Sequence, residues 1–161
     1  MIATQEGWLR VPEPGWLEIE GQDALFDGTF LSGKDGVLAV RYYRTDDPAV
    51  RAKVVFGPRT QGAPGIAHGG SMAALFDELM GVSVWATGGP AYSLDLHVRF
   101  RKALPIPDRY VGEARVERVE GRKVWTSARL RDVSGGTLFA EAEGMYLALV
   151  DREIPAAPGP A

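Results

Sequence analysis

The nearly continuous run of apolar and small residues at 69–86 predicts a helix that is apolar around almost its whole circumference. Its apolar or small residues are Met72, Ala73, Ala74, Leu75, Phe76, Leu79, Met80, Gly81, Val82, Val84 and Trp85. The run Gly88-Gly89-Pro90 ends the pattern. Because a helix of this kind is usually buried, we expect a sheet to wrap it. A chain with one long helix has little else to cover the remainder, so a second subunit is the natural candidate.

Six segments rich in strand-forming residues flank this helix, two before it and four after it. They are residues 37–43, 49–56, 92–101, 110–119, 123–132 and 137–150. Apolar and polar residues alternate from Tyr92 to Arg101, which predicts a strand with one buried face. Short connections predict that the last four strands are antiparallel neighbours. The order predicts an α+β protein with one long helix against an antiparallel sheet.

The length of 161 residues suits one domain with one core. Residues 1–35 contain several glycines and prolines, and we interpret them as an N-terminal extension. Residues 36–151 form the predicted domain. Residues 152–161, rich in proline, alanine and glycine, are interpreted as a flexible tail.

Composition excludes several classes of function. A net charge of -3 gives no reason to expect a nucleic-acid partner. The absence of cysteine excludes disulfides, thiolate metal sites and a cysteine nucleophile, and two histidines are too few for a His-rich metal site. The sequence has neither a signal-peptide pattern nor an apolar run long enough for a bilayer. We therefore expect a soluble, cytoplasmic protein without a metal site or a membrane partner.

Asp77 and Glu78 are the only charged residues of the predicted helix. The helical neighbours of both, three and four positions away, are apolar or small, so neither carboxylate has an ion-pair partner there. Burying an unpaired carboxylate is costly, and that cost is more often tolerated at a functional site. The alternative is that one of them reaches solvent or an arginine at a subunit interface.

The helix begins at Gly69-Gly70, which have no side chains to block approach to their backbone N–H groups. The first turn of a helix leaves such groups free and partly positive, so they are suited to a carbonyl oxygen that becomes an oxyanion. A plain glycine-rich turn into a helix is the alternative.

The segment Pro64-Gly65-Ile66-Ala67-His68-Gly69-Gly70-Ser71-Met72-Ala73-Ala74-Leu75-Phe76-Asp77-Glu78 resembles the signature of hotdog-fold acyl-CoA thioesterases of the phenylacetate-pathway and thioesterase-superfamily-member type. The resemblance continues in residues 94–105 and extends to about residue 150. It implies a hotdog fold, in which an antiparallel sheet wraps one central helix, and a homodimer that joins two sheets edge to edge. It also implies hydrolysis of an acyl- or aryl-CoA, with no cofactor beyond the CoA of the substrate.

The resemblance assigns roles by position. Asp77 matches the catalytic carboxylate, as general base or nucleophile, and Glu78 remains the alternative carboxylate. His68 orients the carbonyl or the loop, the Gly69 and Gly70 N–H groups polarise the thioester oxygen, and Ser93 matches the residue that positions water. Some relatives have an asparagine six residues before the histidine, where this chain has Gly62.

The spacing of His68 and Asp77 predicts active sites shared between subunits. Nine residues of helix separate the two by roughly 13 Å along the axis, since the rise is about 1.5 Å per residue. One thioester cannot touch both. If both act on one bond they come from different copies of the helix, which gives two equivalent sites in a homodimer. A dimer of dimers, and thus a homotetramer, is left open.

Basic residues are the candidates for the phosphates of CoA: Arg99, Arg101, Lys102, Arg122 and Lys123. Arg122, on its turn, is slightly favoured, and a solvated surface role is the alternative for each. His97 lies among polar residues and is interpreted as a surface residue. Two other functions stay open. One is a non-catalytic acyl-CoA or fatty-acyl binding protein. The other is a hotdog hydratase or dehydratase, whose aspartate and histidine have a spacing that His97 does not restore.

Overall fold

The computed structural model describes residues 2–149 and consists of three helices and seven strands there. The N-terminal part contains α1 (Ile2–Leu9), β1 (Leu17–Glu18) and α2 (Gln22–Leu25). Next come β2 (Leu38–Arg44), β3 (Val50–Phe56), a 3-10 turn (Pro58–Thr60) and α3 (Gly69–Gly88). The last strands are β4 (Ala91–Phe100), β5 (Asp108–Glu120), β6 (Lys123–Asp132) and β7 (Leu138–Ala148). The predicted tail, residues 152–161, lies outside the described residues.

The strands form one antiparallel sheet in the order β1-β2-β3-β5-β6-β7-β4, and α3 packs against one side of it. The predicted α+β architecture with one long central helix is confirmed. None of the helices within residues 2–149 has the length and apolar character needed to cross a bilayer.

The expectation that the last four strands are sequential neighbours is wrong for β4. Strands β5, β6 and β7 are neighbours, but β4 pairs with β7 at the edge of the sheet, and β5 pairs with β3. The reason is that the connection after β4 crosses to the loop before α3. There the Ala67 N–H donates to the Leu104 carbonyl at 2.9 Å and the Ile106 N–H donates to the Gly65 carbonyl at 3.0 Å. Since Leu104 is fully buried, this crossover fixes the start of α3.

The core lies between α3 and the face of the sheet that contacts it, here called the inner face. Close packing there explains two glycines. A Cβ at Gly112 would come within 2.9 Å of the Leu79 side chain, and one at Gly144 within 3.0 Å of the Met80 side chain. Both glycines therefore let the sheet approach the helix closely.

One stripe of α3 is only half-buried, although the helix is apolar nearly all round. It consists of Ala74, Asp77, Gly81 and Trp85, spaced three or four residues apart, and is here called the open face of α3. The sheet covers the opposite side, where Leu75, Phe76, Leu79 and Met80 are fully buried. The open face is thus the part of the helix that the chain leaves without full cover.

A β-bulge in β4 changes the face that its side chains occupy. Ser93 lies opposite Tyr146 and Asp95 lies opposite Met145, so Leu94 is an extra residue. Leu96, Val98 and Phe100 lie opposite the inner-face residues of β7, as the alternation predicts. Before the bulge the alternation is reversed: Ser93, expected on the polar side, shares the inner face with Tyr146. The prediction of a single face is therefore wrong for Tyr92 and Ser93. The prediction that this face is buried is wrong within the single chain for Tyr92, Leu94, Leu96 and Phe100, which are exposed because β4 is an edge strand.

Helix α1, at the start of the N-terminal extension, lies on the outer face of the sheet, whereas Ile19 and Leu31 further along the extension pack in the core. Lys53, on β3, is only 1% exposed. Its Nζ donates to the Val11 carbonyl at 2.5 Å, lies 2.8 Å from a carboxylate oxygen of Glu13, and stands 4.8 Å from the centre of the Trp8 ring. The hydroxyl of Tyr43 donates to the Leu9 carbonyl. These contacts hold the end of α1 against β2 and β3.

Candidate active site

His68 caps the N-terminus of α3. Its Nδ1 accepts a hydrogen bond from the Gly70 N–H at 2.8 Å. Because an amide N–H can only donate, Nδ1 is unprotonated, and the neutral imidazole carries its proton on Nε2. The imidazole is exposed, so Nε2–H is available as a donor. The Gly70 N–H is already engaged in this cap, which limits its use as a donor to a substrate.

Gly69 supplies the backbone N–H that remains without an acceptor at the start of α3. Within residues 2–149 no carbonyl or side chain accepts from it. The Phe100 ring lies against this glycine, since a Cβ at position 69 would be 3.2 Å from its Cζ. A side chain at position 69 would therefore displace Phe100. The stronger candidate for the oxyanion donor is the Gly69 N–H.

Asp77 lies on the open face of α3, next to Tyr146. The Tyr146 hydroxyl donates to Asp77 Oδ1 at 2.9 Å and to the Asp77 carbonyl at 2.8 Å. Burial raises the pKa of Tyr146, with the charge of Asp77 as the second cause, so the tyrosine remains a donor. Oδ2 accepts no hydrogen bond within the described part of the chain. Ser93 projects to the same face of the sheet as Tyr146, and thus to the Asp77 side.

Glu78 points to a different part of the sheet. Its Oε1 accepts from the Ser32 hydroxyl at 2.5 Å and from the Tyr42 hydroxyl at 2.6 Å. Burial raises the pKa of Glu78, and the charge of Asp77 adds to that shift. The two carboxyl groups therefore differ in their contacts: Asp77 accepts a hydroxyl on Oδ1 and keeps Oδ2 free, whereas Glu78 accepts two hydroxyls on Oε1.

Gly62 cannot be exchanged for asparagine without a shift of the loop. A Cβ at position 62 would lie 2.9 Å from the Cα of His68. The neighbouring Gln61 stabilises the loop instead, because its Oε1 accepts from the Gly65 N–H at 3.0 Å, and Gly65 has a φ of 73°. The side chain of Gln61 thus supports the loop that carries His68.

The basic candidates lie near the edge strand β4 and the β5–β6 turn. Arg101 pairs with Glu141 at 2.7 Å, and Arg99 lies 3.8 Å from Glu143. Arg122 donates from Nε to the Ala148 carbonyl at 2.8 Å. Lys102 is exposed and forms no ion pair within residues 2–149. Their contact with a ligand stays a prediction.

His97 is exposed and pairs in register with Glu143. This position is on the outer face of the sheet, whereas Asp77 lies on the inner side. The two side chains are therefore separated by the sheet, and no aspartate–histidine pair forms between them.

A cavity of about 400 Å³ lies at some distance from Asp77, between the N-terminal extension and β2. Phe26, Leu38 and Val40 give it an apolar wall, and its charged lining residues are of both signs: Arg10, Asp23, Asp27, Lys34 and Arg41. Neither Asp77 nor Glu78 lines this cavity, and Ser32, which does, donates to Glu78.

The hydrogen-bond partners of Asp77 and Glu78 were not predicted from the sequence: Ser32, Tyr42 and Tyr146. Tyr146 does leave a signal, because it is a single large residue on a strand face that otherwise carries Ala140, Ala142, Gly144 and Ala148. A hydroxyl-bearing ring among small residues indicates a specific partner across the core. Ser32 lies in an irregular segment, and its contact with Glu78 has no local signature.

Comparison with known proteins agrees with this geometry. The thioesterase superfamily profile matches residues 64–139. The chain is 36% identical over 128 residues to acyl-coenzyme A thioesterase THEM4 of Bos taurus, covering 80% of this chain and 52% of that protein. It is 34% identical over 93 residues to acyl-coenzyme A thioesterase THEM5 of Mus musculus, covering 58% of this chain and 38% of that protein. The chain thus spans about half, or less, of these relatives.

Solved structures give the same fold. Zebrafish thioesterase superfamily member 2 superposes with a TM-score of 0.68 at 19% identity, covering 82% of this chain and 99% of that chain. A phenylacetic acid degradation-related protein from Ralstonia eutropha superposes with a TM-score of 0.61 at 21% identity, covering 66% and 83%. The fold, one antiparallel sheet around one long helix, is that of the hotdog proteins. Within that class, the chain belongs to the thioesterase superfamily.

Proposed function

We propose that this chain is an acyl-CoA thioesterase, which hydrolyses an acyl- or aryl-CoA to the free acid and CoA. The observation that carries the proposal is Asp77: it stands on the open face of α3 with Oδ1 fixed by Tyr146 and Oδ2 free. A carboxylate with one fixed and one free oxygen is suited to act on a water molecule or on a carbonyl carbon. The names of the relatives support the same reaction.

The proposed reaction uses Asp77 and the start of α3. In the general-base route, Asp77 Oδ2 takes a proton from water while the water oxygen bonds to the thioester carbon. The Gly69 N–H stabilises the resulting oxyanion, and the exposed Nε2–H of His68 is a second donor. The C–S bond then breaks, the carbonyl reforms, and the proton held by Asp77 passes to the CoA sulfur. Ser93 holds the water, since its side chain is on the Asp77 side of β4.

The chain offers the nucleophilic route as well, in which Asp77 Oδ2 bonds to the thioester carbon and the C–S bond breaks with release of the CoA thiolate. Water then hydrolyses the mixed anhydride to the free acid and the Asp77 carboxylate, and a proton released in that step passes to the thiolate. The Tyr146 bond leaves Oδ2 available for either role. Hydrolysis in oxygen-18 water distinguishes them, because only the nucleophilic route transfers the label into Asp77 during a single turnover.

We propose further that the active unit is a homodimer. His68 and Asp77 belong to one uninterrupted helix and lie nine residues apart, so the two sides of one site come from two subunits. Strand β4 supports this assembly because it is an edge strand with Tyr92 63% exposed and Phe100 53% exposed. Pairing of β4 with its copy would bring the open faces of α3 together.

The phosphates of CoA are expected near Lys102, Arg99, Arg101 and Arg122. Lys102 is the strongest of the four, since it is exposed and not engaged with a carboxylate in the described structure. Location in the cytoplasm and assembly of two dimers into a tetramer stay predictions.

A non-catalytic acyl-CoA binding protein is the second candidate. The half-exposed Asp77 disfavours it, because an apolar binding surface has no use for a carboxylate held in one orientation. A hydratase is disfavoured by the position of His97 on the other face of the sheet.

The experiment is thiol release from a panel of short, long and aromatic acyl-CoAs. Asp77→Asn should lower kcat on the order of 100-fold or more, because a general base typically contributes that much. Glu78→Gln is the matched control on the same helix and should retain most activity. No release by the wild-type protein across the panel would favour the binding protein. Loss of activity in Glu78→Gln, with full activity in Asp77→Asn, would show that Glu78 and not Asp77 is the catalytic carboxylate.

A further inference from the structure

Gly81 occupies the middle of α3 although nothing within residues 2–149 requires a glycine there. Glycine is less favourable than alanine inside a helix because it loses more backbone freedom on folding. A Cβ at position 81 would meet only the Cε1 atom of Tyr146, at 3.8 Å, which is ordinary van der Waals contact. This differs from Gly112 and Gly144, where an added Cβ would overlap a core side chain.

Because Gly81 has no side chain, it leaves space next to Asp77. Residues 77 and 81 are one turn apart on the open face of α3. In a helix the Cα–Cβ bond tilts toward the N-terminus, so a side chain covers the surface over the preceding turn. A side chain at position 81 would therefore lean over Asp77 and narrow the space beside its free oxygen.

Tyr146 bounds the same space on the other side. Its hydroxyl is fixed by Asp77, and its ring edge is the atom nearest to the position of a Cβ at residue 81. A Cβ at residue 81 would stand at ordinary van der Waals distance from this ring and would occupy part of the gap beside the carboxylate.

We infer that Gly81 determines the acyl-group specificity of the site by leaving room for acyl groups that are broad next to the thioester carbonyl, namely branched or aromatic ones. The inference depends on the proposed thioesterase function, since the broad group lies beside Asp77 only when the thioester carbon is presented to it. A straight acyl chain is narrower next to the carbonyl, so it would still fit beside a methyl group at position 81.

The test compares Gly81→Ala with the wild-type protein on three substrates: butanoyl-CoA, isobutanoyl-CoA and benzoyl-CoA. Gly81→Ala should lower kcat/KM for the branched and aromatic substrates by at least about tenfold more than for butanoyl-CoA, because one misplaced methyl group in a pocket has an effect of about 10- to 200-fold. The matched control is Gly88→Ala, the same change at the exposed end of the same helix, and it should leave the selectivity unchanged.

Thermal unfolding and sedimentation accompany the kinetics. Gly81→Ala should unfold at an equal or higher temperature than the wild-type protein and keep its oligomeric state. Altered assembly with unchanged selectivity would overturn the inference and assign Gly81 to packing between subunits. So would an equal loss on all three substrates, or a wild-type protein active on butanoyl-CoA alone. A wild-type protein that hydrolyses none of an extended acyl-CoA panel, straight chains included, would instead contradict the proposed function itself.

Discussion

Asp77 and Glu78 are adjacent on α3, but their carboxyl groups contact different strands of the sheet. Asp77 receives a hydroxyl on one oxygen and keeps the other free, whereas Glu78 is buried against Tyr42 and Ser32. Successive residues of a helix point about 100° apart, so adjacent side chains reach different strands. The pair thus divides into Asp77, which has an oxygen available for chemistry, and Glu78, whose hydrogen bonds connect α3 to Tyr42 and Ser32.

Replacement of Glu78 tests this division through pH. Because burial raises its pKa, the folded protein holds the Glu78 proton more tightly than the unfolded chain does. The free energy of unfolding contributed by this group therefore falls as the pH rises from the ordinary glutamate value through the raised one. The Glu78→Gln variant has no titrating group at this position and so does not lose that free energy. Its Tm relative to the wild-type Tm should therefore rise as the pH is raised from 4 to 8, as measured by thermal unfolding.

Glu20→Gln, which removes one carboxyl group at an exposed position, is the control for the loss of a glutamate. A Tm difference between Glu78→Gln and the wild-type protein that stays constant across this pH range would mean that the Glu78 carboxyl titrates alike in the folded and unfolded chain.

Among the elements, β4 combines a regular edge strand with one irregular residue. Leu94 is the extra residue, and the pairs on both sides of it, Ser93 with Tyr146 and Asp95 with Met145, are those of a continuous ladder. Because of the extra residue, the side chains before the bulge lie on the opposite faces from those that a regular alternation would give them. It brings Ser93 to the side of Asp77 while the following residues stay in register.

Deletion of Leu94 should be tolerated for this reason. The remaining pairs close into a regular ladder, so we expect the Tm to change by no more than about 5 °C, corresponding to one or two kcal/mol in a domain of this size. Deletion of His97 is the matched comparison, because the ladder can then close only by moving Asp95 opposite Gly144, where Leu96 now packs. Its Tm should be clearly lower. Equal Tm values would contradict the position of the bulge.

The elements were also the part of the fold that the sequence predicts best. Apolar periodicity gave α3 and six strands within a few residues, because burial of one face dictates that pattern. The partner of β4 was not predictable by the neighbour rule, since the crossover depends on Leu104 packing beneath the loop of Ala67. Asp77 and the start of α3 are local and were predicted. Tyr146 and Ser32 are brought in from 69 and 46 residues away, and no local pattern carries such contacts.

For the whole molecule, the central question is whether two chains share each site. We expect a chain with Asp77→Ala and a chain with His68→Ala to be inactive alone, and their heterodimer to regain activity, because one intact site can form from the unmutated half of each chain. Differently tagged chains, refolded together and purified through both tags, allow thiol release to be measured on verified heterodimers. The wild-type heterodimer prepared in the same way is the control.

Recovery near half the wild-type rate is expected, since one of two sites is intact. Heterodimers that stay inactive would contradict a shared site and would assign His68 and Asp77 to the same protomer.

The contact of Lys53 with Val11 and Glu13 has a consequence for higher assembly. Because α1 lies over β2 and β3, those strands are not free to stack face to face on another sheet. The outer face that remains, on β5, β6 and β7, carries the charged residues Glu113, Arg115, Arg129, Glu141 and Glu143 together with Trp125, Met145 and Leu147. Where the charged residues meet, stacking of two sheets would have to match opposite charges, so that part of its strength would fall with added salt. The placement of one short helix thus confines any stacking to β5, β6 and β7.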